Sequence, residues 1–399
     1  MKLSRRVREL TPSATLQAKS DAEKVRREGV DVIDFGPGEP DFNTPEPIKD
    51  AAKRALDQNF THYVDTGGIP ELRAGLADRF RRDHGTDYAP EDVMVGCGGK
   101  NILFLLAQAA FEPGDRVAIF APYWVSFPDQ VRLAGAQPVI LPTREEEGFV
   151  PRAEVLERAL SEGGLQGVIL NSPCNPTGAV IPREEVERFA EVARRHDLLL
   201  ISDETYEFFH YGSHPFASFA PLASQLRNQL VLVGSFSKSY ALTGWRVGYA
   251  LGPRNLIAAM IRIQSHDASH TASFAMKGAV EALSTPRSVL ESMREDYRRR
   301  RDQMLQGLSR VEGIRCLKPD GAYYVFPNMK GFMGRFGYKN SSDLARGLLL
   351  GVGIATVPGL AFGMDGYLRI SYAVKESLIR EGLKRLQECR GLPAVGDGG

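Results

Sequence analysis

Short apolar runs bounded by turn-forming residues alternate with longer amphipathic segments through the middle of the chain. This alternation predicts βαβ units and a largely parallel sheet, because strands buried on both faces appear in a sequence as continuous apolar runs. The strands predicted in this way are Asp115–Ala121, Leu165–Ser172, Leu198–Glu204, Gln229–Ser237 and Val247–Gly252. The pattern therefore predicts an α/β core.

The segment Arg183–His196 shows the helical half of this pattern. It follows Pro182, its apolar residues are spaced by three and four, and its acidic residues come early and its basic residues late. The preceding proline and this distribution of charge both favour a helix, since the helix dipole is positive at its N-terminus. We therefore predict a helix over the whole segment.

The pattern changes after about Ala282. A long charged helix is predicted in Glu291–Val311, and strand-like segments follow in Gly313–Pro319 and Ala322–Asn328, which together predict a smaller α+β domain. The apolar stretch Gly347–Gly363 is broken by glycines and a proline, so it predicts a helix-to-strand connection and not a membrane span. The predicted boundaries are 1–44 for an N-terminal arm and part of the small domain, 45–288 for the large domain and 289–399 for the C-terminal small domain.

Composition excludes several classes of function. The 399 residues are 43% hydrophobic and 25% charged with a net charge of +1, which is enough to build a large core but gives no long-range field for attracting nucleic acid. The four cysteines lie far apart, without the spacing of a disulfide framework or a zinc site. The basic N-terminus leads into no apolar segment, so it is not a secretory signal. We expect a cytoplasmic protein.

Lys238 is the most distinctive candidate for chemistry. It follows a predicted buried strand and is surrounded by serines instead of acidic partners. A buried lysine is pushed toward its neutral amine, which is the form that condenses with an aldehyde. Ser235, Ser237 and Arg246 could supply hydroxyl and charged donors to a phosphate. One segment could therefore bind an aldehyde and a phosphate together.

This segment resembles the cofactor segment of the class I aminotransferases of pyridoxal 5'-phosphate (PLP) fold type I, the aspartate aminotransferase family. The resemblance covers nearly the whole chain. Within the family, the chain resembles the prokaryotic aspartate/prephenate branch. The further blocks that carry it are GPGEPDF (Gly36–Phe42), NSPCNPTG (Asn171–Gly178), SDETYE (Ser202–Glu207) and RISYA (Arg369–Ala373). It implies a mostly parallel seven-stranded sheet between helices and a small α+β domain built from both chain ends.

The same resemblance implies roles for the residues around Lys238, which would form a Schiff base with PLP. Asp203 would pair with the pyridine nitrogen and keep the ring cationic, so that the ring accepts electrons. Tyr206 and Asn175 would hydrogen-bond the 3'-oxygen, and Trp124 would stack on the ring. The implied catalytic residues are Lys238, Asp203 and Tyr206.

The turn VGCGGK before an apolar helix offers free N–H groups at the positive end of the helix dipole. It lacks the glycine and the Ser or Thr that a Walker A loop needs at Met94 and Asn101. In the resembled family this turn binds the cofactor phosphate through the positions of Gly99 and Lys100. Tyr63 corresponds to a tyrosine that reaches the phosphate from the neighbouring subunit, which implies a homodimer.

Arg369 matches the arginine that holds the substrate carboxylate by a bidentate pair. Gly38 would lie near the same carboxylate. Lys100 matches a lysine that one branch of the family directs toward a distal substrate carboxylate, which favours an acidic substrate such as aspartate or glutamate; a solvated lysine at a helix start is the equal alternative. The implied substrate-binding residues are Gly38, Lys100, Trp124, Asn175 and Arg369.

The resemblance implies transamination between an amino acid and a 2-oxo acid. Another reaction through a carbanion, such as β- or γ-elimination, replacement or cyclisation, stays open at this point. The segment QSHDASHTASF departs from the Ser/Thr-rich stretch and proline of the family. Its His266, Asp267 and His270 could serve an altered substrate or additional proton transfers, or could be structural.

Overall fold

The structure is a computed structural model and describes residues 2–8, 10 and 12–393. The strands of these residues are β1 (Ile33–Asp34), β2 (Val93–Gly96), β3 (Arg116–Ala121), β4 (Gln137–Pro142), β5 (Gly167–Asn171), β6 (Leu199–Asp203), β7 (Leu230–Ser235), β8 (Gly248–Leu251), β9 (Tyr324–Val325), β10 (Ile354–Ala355), β11 (Val357–Pro358) and β12 (Leu368–Ser371). The helices are α1 (Arg5–Arg8), α2 (Ala14–Arg27), α3 (Glu46–Asp57), α4 (Pro70–His84), α5 (Gly99–Ala110), α6 (Phe127–Leu133), α7 (Ala153–Glu162), α8 (Arg183–His196), α9 (Phe236–Ser239), α10 (Arg254–Gln264), α11 (Ser273–Leu283), α12 (Arg287–Leu308), α13 (Lys330–Phe336), α14 (Ser341–Val352) and α15 (Glu376–Glu388).

A seven-stranded sheet forms the centre of the fold, with the strand order β2-β8-β7-β6-β5-β3-β4. Only β8 runs antiparallel to its neighbours among these strands, so the sheet is mostly parallel. Alternate residues of one strand enter two different cores: Leu200 belongs to one cluster and Ile201 to another. Side chains of a strand alternate between the faces of a sheet, so both faces are packed. This packing explains why the strands appear as unbroken apolar runs.

A second, smaller unit is built from both ends of the chain. Strand β1 pairs in parallel with β10, and β11, β12 and β9 form an antiparallel sheet. A separate core joins residues of both ends, among them Ile33, Phe35, Ile354 and Ile370. The predicted fold class, a mostly parallel sheet with a smaller α+β unit, is confirmed. The predicted domain boundaries stay a prediction.

Several predicted elements can be compared with the observed ones. The helix Arg183–His196 is confirmed at both ends, and Asp197 closes it in the left-handed conformation with φ of 49°. The five predicted strands are all present but shorter by one to two residues at individual ends. The stretch Gly347–Gly363 begins inside α14 and continues through β10 and β11.

The predicted strand Gly313–Pro319 is wrong. Only Arg315 forms a bridge there, with Asn328. Gly313 has φ of +84°, and its backbone lies against the start of α13. A left-handed residue and close backbone packing interrupt an extended ladder, which the apolar pattern alone did not reveal.

In the part of the chain that the structure describes, no helix combines the length and the apolar character that a bilayer crossing requires.

Candidate active site

Lys238 lies on a short helical turn directly after the central strand β7. Ser235 ends that strand and caps α9, because its hydroxyl oxygen accepts a hydrogen bond of 3.1 Å from the backbone N–H of Ser237. Lys238 Nζ donates to the carbonyl oxygen of Gly38 at 2.6 Å. Burial lowers the pKa of Lys238 to about 8, with a further contribution from the Arg369 guanidinium. The amine is therefore partly neutral near physiological pH.

Asp203 ends the neighbouring strand β6. Its carboxylate is buried and accepts a hydrogen bond of 3.1 Å from the backbone N–H of Thr205. Burial raises the pKa of Asp203, and the hydrogen bonds from Thr205 and the charge of Lys238 oppose that rise. Asn171 pairs with Asp203 across β5 and β6, so the carboxyl ends of the strands bring these groups to the same edge of the sheet.

The turn before α5 lies against Arg246. Gly98 has φ of +86°, and a Cβ atom there would lie 2.5 Å from Arg246 Nη2. Glycine is required at this position both by the backbone conformation and by the close approach. Arg246 donates to the carbonyl oxygens of Thr243 at 2.8 Å and Cys97 at 3.3 Å. These contacts direct the guanidinium toward the N-terminus of α5.

Lys100 and Trp124 form one side of the opening. Lys100 is exposed, and its Nζ lies 5.1 Å from the centre of the Trp124 ring, within the range of a cation–π contact. The pKa of Lys100 is lowered, first by desolvation of the ammonium and then by the Arg246 guanidinium. In the ion pairs of the described residues, no carboxylate lies within 4 Å of Lys100. An anion at this position would relieve the mutual repulsion of the two cations.

Arg369 lies on β12 and is only 2% exposed. Its Nη1 donates to Asn175 Oδ1 at 3.0 Å, and its Nη2 donates to the carbonyl oxygen of Gly36 at 2.6 Å. Its Nε has no hydrogen-bond partner among the described residues. Arg369 as a whole lines a cavity, and a buried guanidinium there is suited to an acidic ligand.

Two tyrosines connect Arg369 with the interior of the site. The hydroxyl oxygens of Tyr206 and Tyr324 lie 2.8 Å apart, and both side chains are buried. The Arg369 guanidinium lies 4.5 Å from the centre of the Tyr324 ring. Burial raises the pKa of Tyr206 well above its ordinary value, so its hydroxyl keeps its proton at neutral pH.

These groups surround one cavity of about 340 Å³. Every predicted site residue except Tyr63 lines it. The predicted residues in its wall are Gly38, Gly99, Lys100, Trp124, Asn175, Asp203, Tyr206, Ser235, Ser237, Lys238, Arg246 and Arg369. The sequence prediction did not name the other lining residues, which are Thr15, Leu103, Asn171, Thr205 and Tyr324. Asn171 and Thr205 lie inside the predicted motifs and could have been found there, whereas the strand-like pattern around Tyr324 gave no sign of a cavity.

Tyr63 lies outside this cavity and is 89% exposed. Its ring meets the ring of His270 edge to face, with the ring centres 5.7 Å apart. The role that the resemblance implies for Tyr63, in the site of a neighbouring subunit, stays a prediction.

The segment between α10 and α11 carries the two histidines and the aspartate that departed from the resembled family. His270 Nδ1 lies 2.8 Å from the carbonyl oxygen of Thr271, and Nε2 accepts a hydrogen bond of 3.3 Å from the backbone N–H of Val64. A carbonyl oxygen can only accept, so Nδ1 carries the proton and both ring nitrogens are engaged. Asp267 accepts from Asn101 Nδ2 at 3.1 Å, and His266 is exposed. None of the three lines the cavity around Lys238.

Comparison with known proteins gives a consistent result along the chain. A family model described as aminotransferase class I and II matches residues 30–386. The chain is 40% identical over 387 residues to the aspartate aminotransferase of Bacillus subtilis, covering 97% of this chain and 98% of that protein. It is 42% identical over 393 residues to the aspartate/prephenate aminotransferase of Thermus thermophilus, covering 98% and 99% of the two chains.

Solved structures agree with the sequence comparisons. The structure resembles the aspartate aminotransferase from Thermus thermophilus with maleate, with a TM-score of 0.91, 42% identity and coverage of 97% of this chain and 99% of that chain. It also resembles the aspartate aminotransferase from Rhizobium meliloti, with a TM-score of 0.93, 37% identity and coverage of 98% and 100%. The similarity therefore includes both the central sheet and the smaller unit.

Proposed function

The chain belongs to the aminotransferase class I and II family and is an aminotransferase, and on this premise we propose that it uses PLP and takes an acidic amino acid as its donor. The observation that carries the proposal is the convergence of Lys238, Asp203 and Arg369 on one cavity. A nucleophilic amine, a buried carboxylate and a carboxylate-binding guanidinium are the three groups that PLP chemistry on an amino acid requires. The comparisons do not favour the alternative of elimination, replacement or cyclisation, since the relatives are named as aminotransferases.

The donors around the cavity fit PLP. Lys238 would hold the aldehyde carbon, Asp203 the pyridine nitrogen, and Tyr206 and Asn175 the 3'-oxygen. Trp124 would cover one face of the ring. When bound, PLP supplies an electron sink for the pair released at the substrate Cα. The phosphate would lie among donors that also line the cavity, namely the backbone N–H groups of Gly99 and Lys100 and the side chains of Ser235, Ser237 and Arg246.

Arg369 would orient the substrate by its carboxylate. Arg369 lines the cavity, and its Nη1, which donates to Asn175, could donate to a carboxylate instead. With its Nζ free, Lys238 would remove the proton from the substrate Cα and would deliver it to C4', the former aldehyde carbon of the cofactor. Burial supports this role, because it lowers the pKa of Lys238 to about 8 and brings it near the working pH.

An acidic substrate follows from Lys100 and from the relatives. Aspartate appears in the names of the relatives, and Lys100 lies on the same cavity as Arg369. Two cations in the wall of one cavity suit a substrate with two carboxylates. We propose aspartate or glutamate as the donor and a dicarboxylic 2-oxo acid as the acceptor.

We also propose a homodimer, in the cytoplasm, with sites shared between subunits. Tyr63 would contact the cofactor phosphate of the partner site, which accounts for its 89% exposure in one chain. Lys100 and Arg246 are exposed at the same end of the cavity. A second copy would cover them and exclude water from the phosphate.

Reduction with borohydride tests the cofactor assignment directly. The protein is purified with PLP, treated with borohydride, digested and mapped by mass spectrometry. The label is expected on Lys238 and is expected to disappear in Lys238→Ala, while the exposed Lys53, which pairs with Asp50, provides the control Lys53→Ala. No visible absorbance band, or a label on another lysine, would overturn the assignment.

A half-reaction screen tests the substrate. Aspartate, glutamate, phenylalanine and methionine are added separately, and the loss of the visible band and the formation of the 2-oxo acid are followed. We expect the acidic substrates to react most efficiently, and Lys100→Ser to reduce their advantage over phenylalanine by about tenfold, the value of a single charge-assisted hydrogen bond. If Lys100→Ser instead reduced the reaction with all four amino acids equally, Lys100 would be assigned to the cofactor.

A further inference from the structure

Tyr324 is a buried residue of the small antiparallel sheet that the sequence patterns did not connect with the site. In the register of β9 and β12, Ser371 pairs with Tyr324, so Arg369 is the diagonal neighbour of Tyr324 on the same face. The sheet therefore places the aromatic ring beside the guanidinium. The observed distance of 4.5 Å between the guanidinium carbon and the ring centre agrees with this placement.

The hydroxyl of Tyr324 makes a second contact, at the end of the side chain. It lies 2.8 Å from the hydroxyl of Tyr206, and a Cβ atom on Gly38 would lie 2.7 Å from it. Glycine at position 38 therefore leaves the space that the hydroxyl occupies. One side chain thus touches the arginine proposed to bind the substrate and the tyrosine proposed to bind the 3'-oxygen of the cofactor.

The direction of the hydrogen bond follows from the number of protons. Each tyrosine hydroxyl has one proton to donate. If Tyr206 donates its proton to the 3'-oxygen, its own oxygen can only accept from Tyr324. A hydroxyl that accepts one hydrogen bond donates a stronger one, because each bond polarises the next. Without the Tyr324 hydroxyl, the oxygen of Tyr206 would be buried without that donor.

We propose that Tyr324 is a positioning residue with two separate effects: its hydroxyl strengthens the hydrogen bond from Tyr206 to the cofactor, and its ring supports Arg369. The inference rests on the proposed function, since it assumes PLP in the cavity. The two effects belong to different atoms. Phenylalanine at position 324 removes the hydroxyl and keeps the ring, whereas leucine removes both.

The first measurement is the pH at which the visible absorbance of the bound cofactor changes. A donor to the 3'-oxygen withdraws electron density from the cofactor and favours loss of the proton from the Lys238 nitrogen that is joined to it. A weaker donor therefore raises the pH midpoint of the absorbance change. We expect Tyr324→Phe to raise it by about half a unit to one unit, the size of one net hydrogen bond. Tyr206→Phe should raise it further, because it removes the direct contact.

The second measurement is the binding of maleate, a dicarboxylate that does not react. Tyr324→Phe should leave its dissociation constant within about twofold of the parent value, while Tyr324→Leu should weaken binding by about tenfold, the upper range of a lost cation–π contact. The control is Tyr372→Phe, since Tyr372 belongs to the same buried core, bonds the carbonyl oxygen of Ala322 at 3.2 Å and does not line the cavity. It should change neither quantity.

The outcomes separate this inference from the proposed function. A parent protein without any visible band would contradict the use of PLP itself. A parent protein with a band, a shifted midpoint in Tyr206→Phe and an unshifted midpoint in Tyr324→Phe would overturn the role of the hydroxyl alone. Unchanged maleate binding in a folded Tyr324→Leu would overturn the role of the ring.

Discussion

The inner wall of the cavity, formed by Asp203, Ser235, Ser237 and Lys238, differs in construction from a region outside the cavity, which we call the rim and which consists of Tyr63 and the loop 265–272 between α10 and α11. The groups of the inner wall come from the ends of adjacent buried strands, and each is fixed by the fold of its own chain. The rim is a loop and an exposed tyrosine, held by the ring of His270. The chain therefore completes the inner wall alone, while the rim acquires its proposed role only against a second copy.

The difference shows where a family resemblance is informative. Strand ends are constrained by the packing on both faces of the sheet, so a motif at a strand end also predicts where its side chains lie. The rim tolerates change, since its backbone can be held by other side chains in place of a Ser/Thr-rich segment. We expect substitutions in the inner wall to affect catalysis strongly and substitutions in the rim to affect mainly cofactor retention.

The largest effect is expected for Asp203→Asn in the inner wall. Asparagine cannot stabilise a protonated pyridine nitrogen, and losing the charged partner of a buried pair costs about 3–5 kcal/mol, or about 10²- to 10⁴-fold in rate. Steady-state kcat with aspartate measures it. The control is Glu204→Gln, because Glu204 accepts from Ser202 and Ser218 and does not line the cavity. A control variant that folds and loses as much activity would contradict a specific role for Asp203.

Arg369→Lys should have the next largest effect. Lysine keeps the charge but cannot make the bidentate pair with a carboxylate, so kcat/KM should fall by about 10²-fold while the visible spectrum stays unchanged. Because Arg369 is proposed to bind the substrate carboxylate, the loss should appear mainly in KM for the amino acid. If Arg369→Lys lost the cofactor band but kept the KM of the parent protein, the arginine would support the cavity wall instead of binding the substrate.

Much of the inner wall could be predicted from the sequence, and the reasons are physical. Lys238 and Asp203 follow continuous apolar runs that end at the sheet edge, so pattern and motif agree. Helix Arg183–His196 was predicted to the residue because proline, charge order and apolar spacing agree. Tyr324 could not be placed, since its contacts with Tyr206 and Arg369 depend on a strand register formed far apart in the chain.

The rim shows the limit of sequence patterns more clearly. The sequence identified His270 as a departure but left open whether it is structural or takes part in proton transfer. Its partner, the backbone N–H of Val64, lies 206 residues away along the chain. Every residue except proline has a backbone N–H, so the type of the donating residue does not reveal such a hydrogen bond. Only the folded structure shows that both ring nitrogens are engaged.

A pH dependence of about tenfold is expected for the loading of PLP. Burial first, and the Arg369 guanidinium second, lower the pKa of Lys238 to about 8, so the neutral amine is about a tenth of the total at pH 7 and dominates above pH 9. The rate of loading of the cofactor-free protein should rise with pH, reach half of its maximum near pH 8 and level off above about pH 9, as stopped-flow absorbance would show. Arg369→Lys keeps the positive charge and should keep this midpoint. A rate that still rises through pH 10 would indicate an ordinary lysine.

The smallest effect is expected at the rim, for His270→Ala. This change removes the acceptor for the Val64 N–H and the ring that meets Tyr63, so the loop should hold Tyr63 less firmly. Since only the proposed contact of Tyr63 with the phosphate is weakened, the dissociation constant for PLP should rise by about threefold to tenfold, the value of one hydrogen bond, while kcat with saturating PLP stays unchanged. Fluorescence titration of the cofactor-free protein measures the first and steady-state kinetics the second. The exposed His266 provides the control His266→Ala, which should change neither. A reduced kcat with saturating PLP would instead place His270 in proton transfer, and the distinction between a catalytic inner wall and a supporting rim would fail.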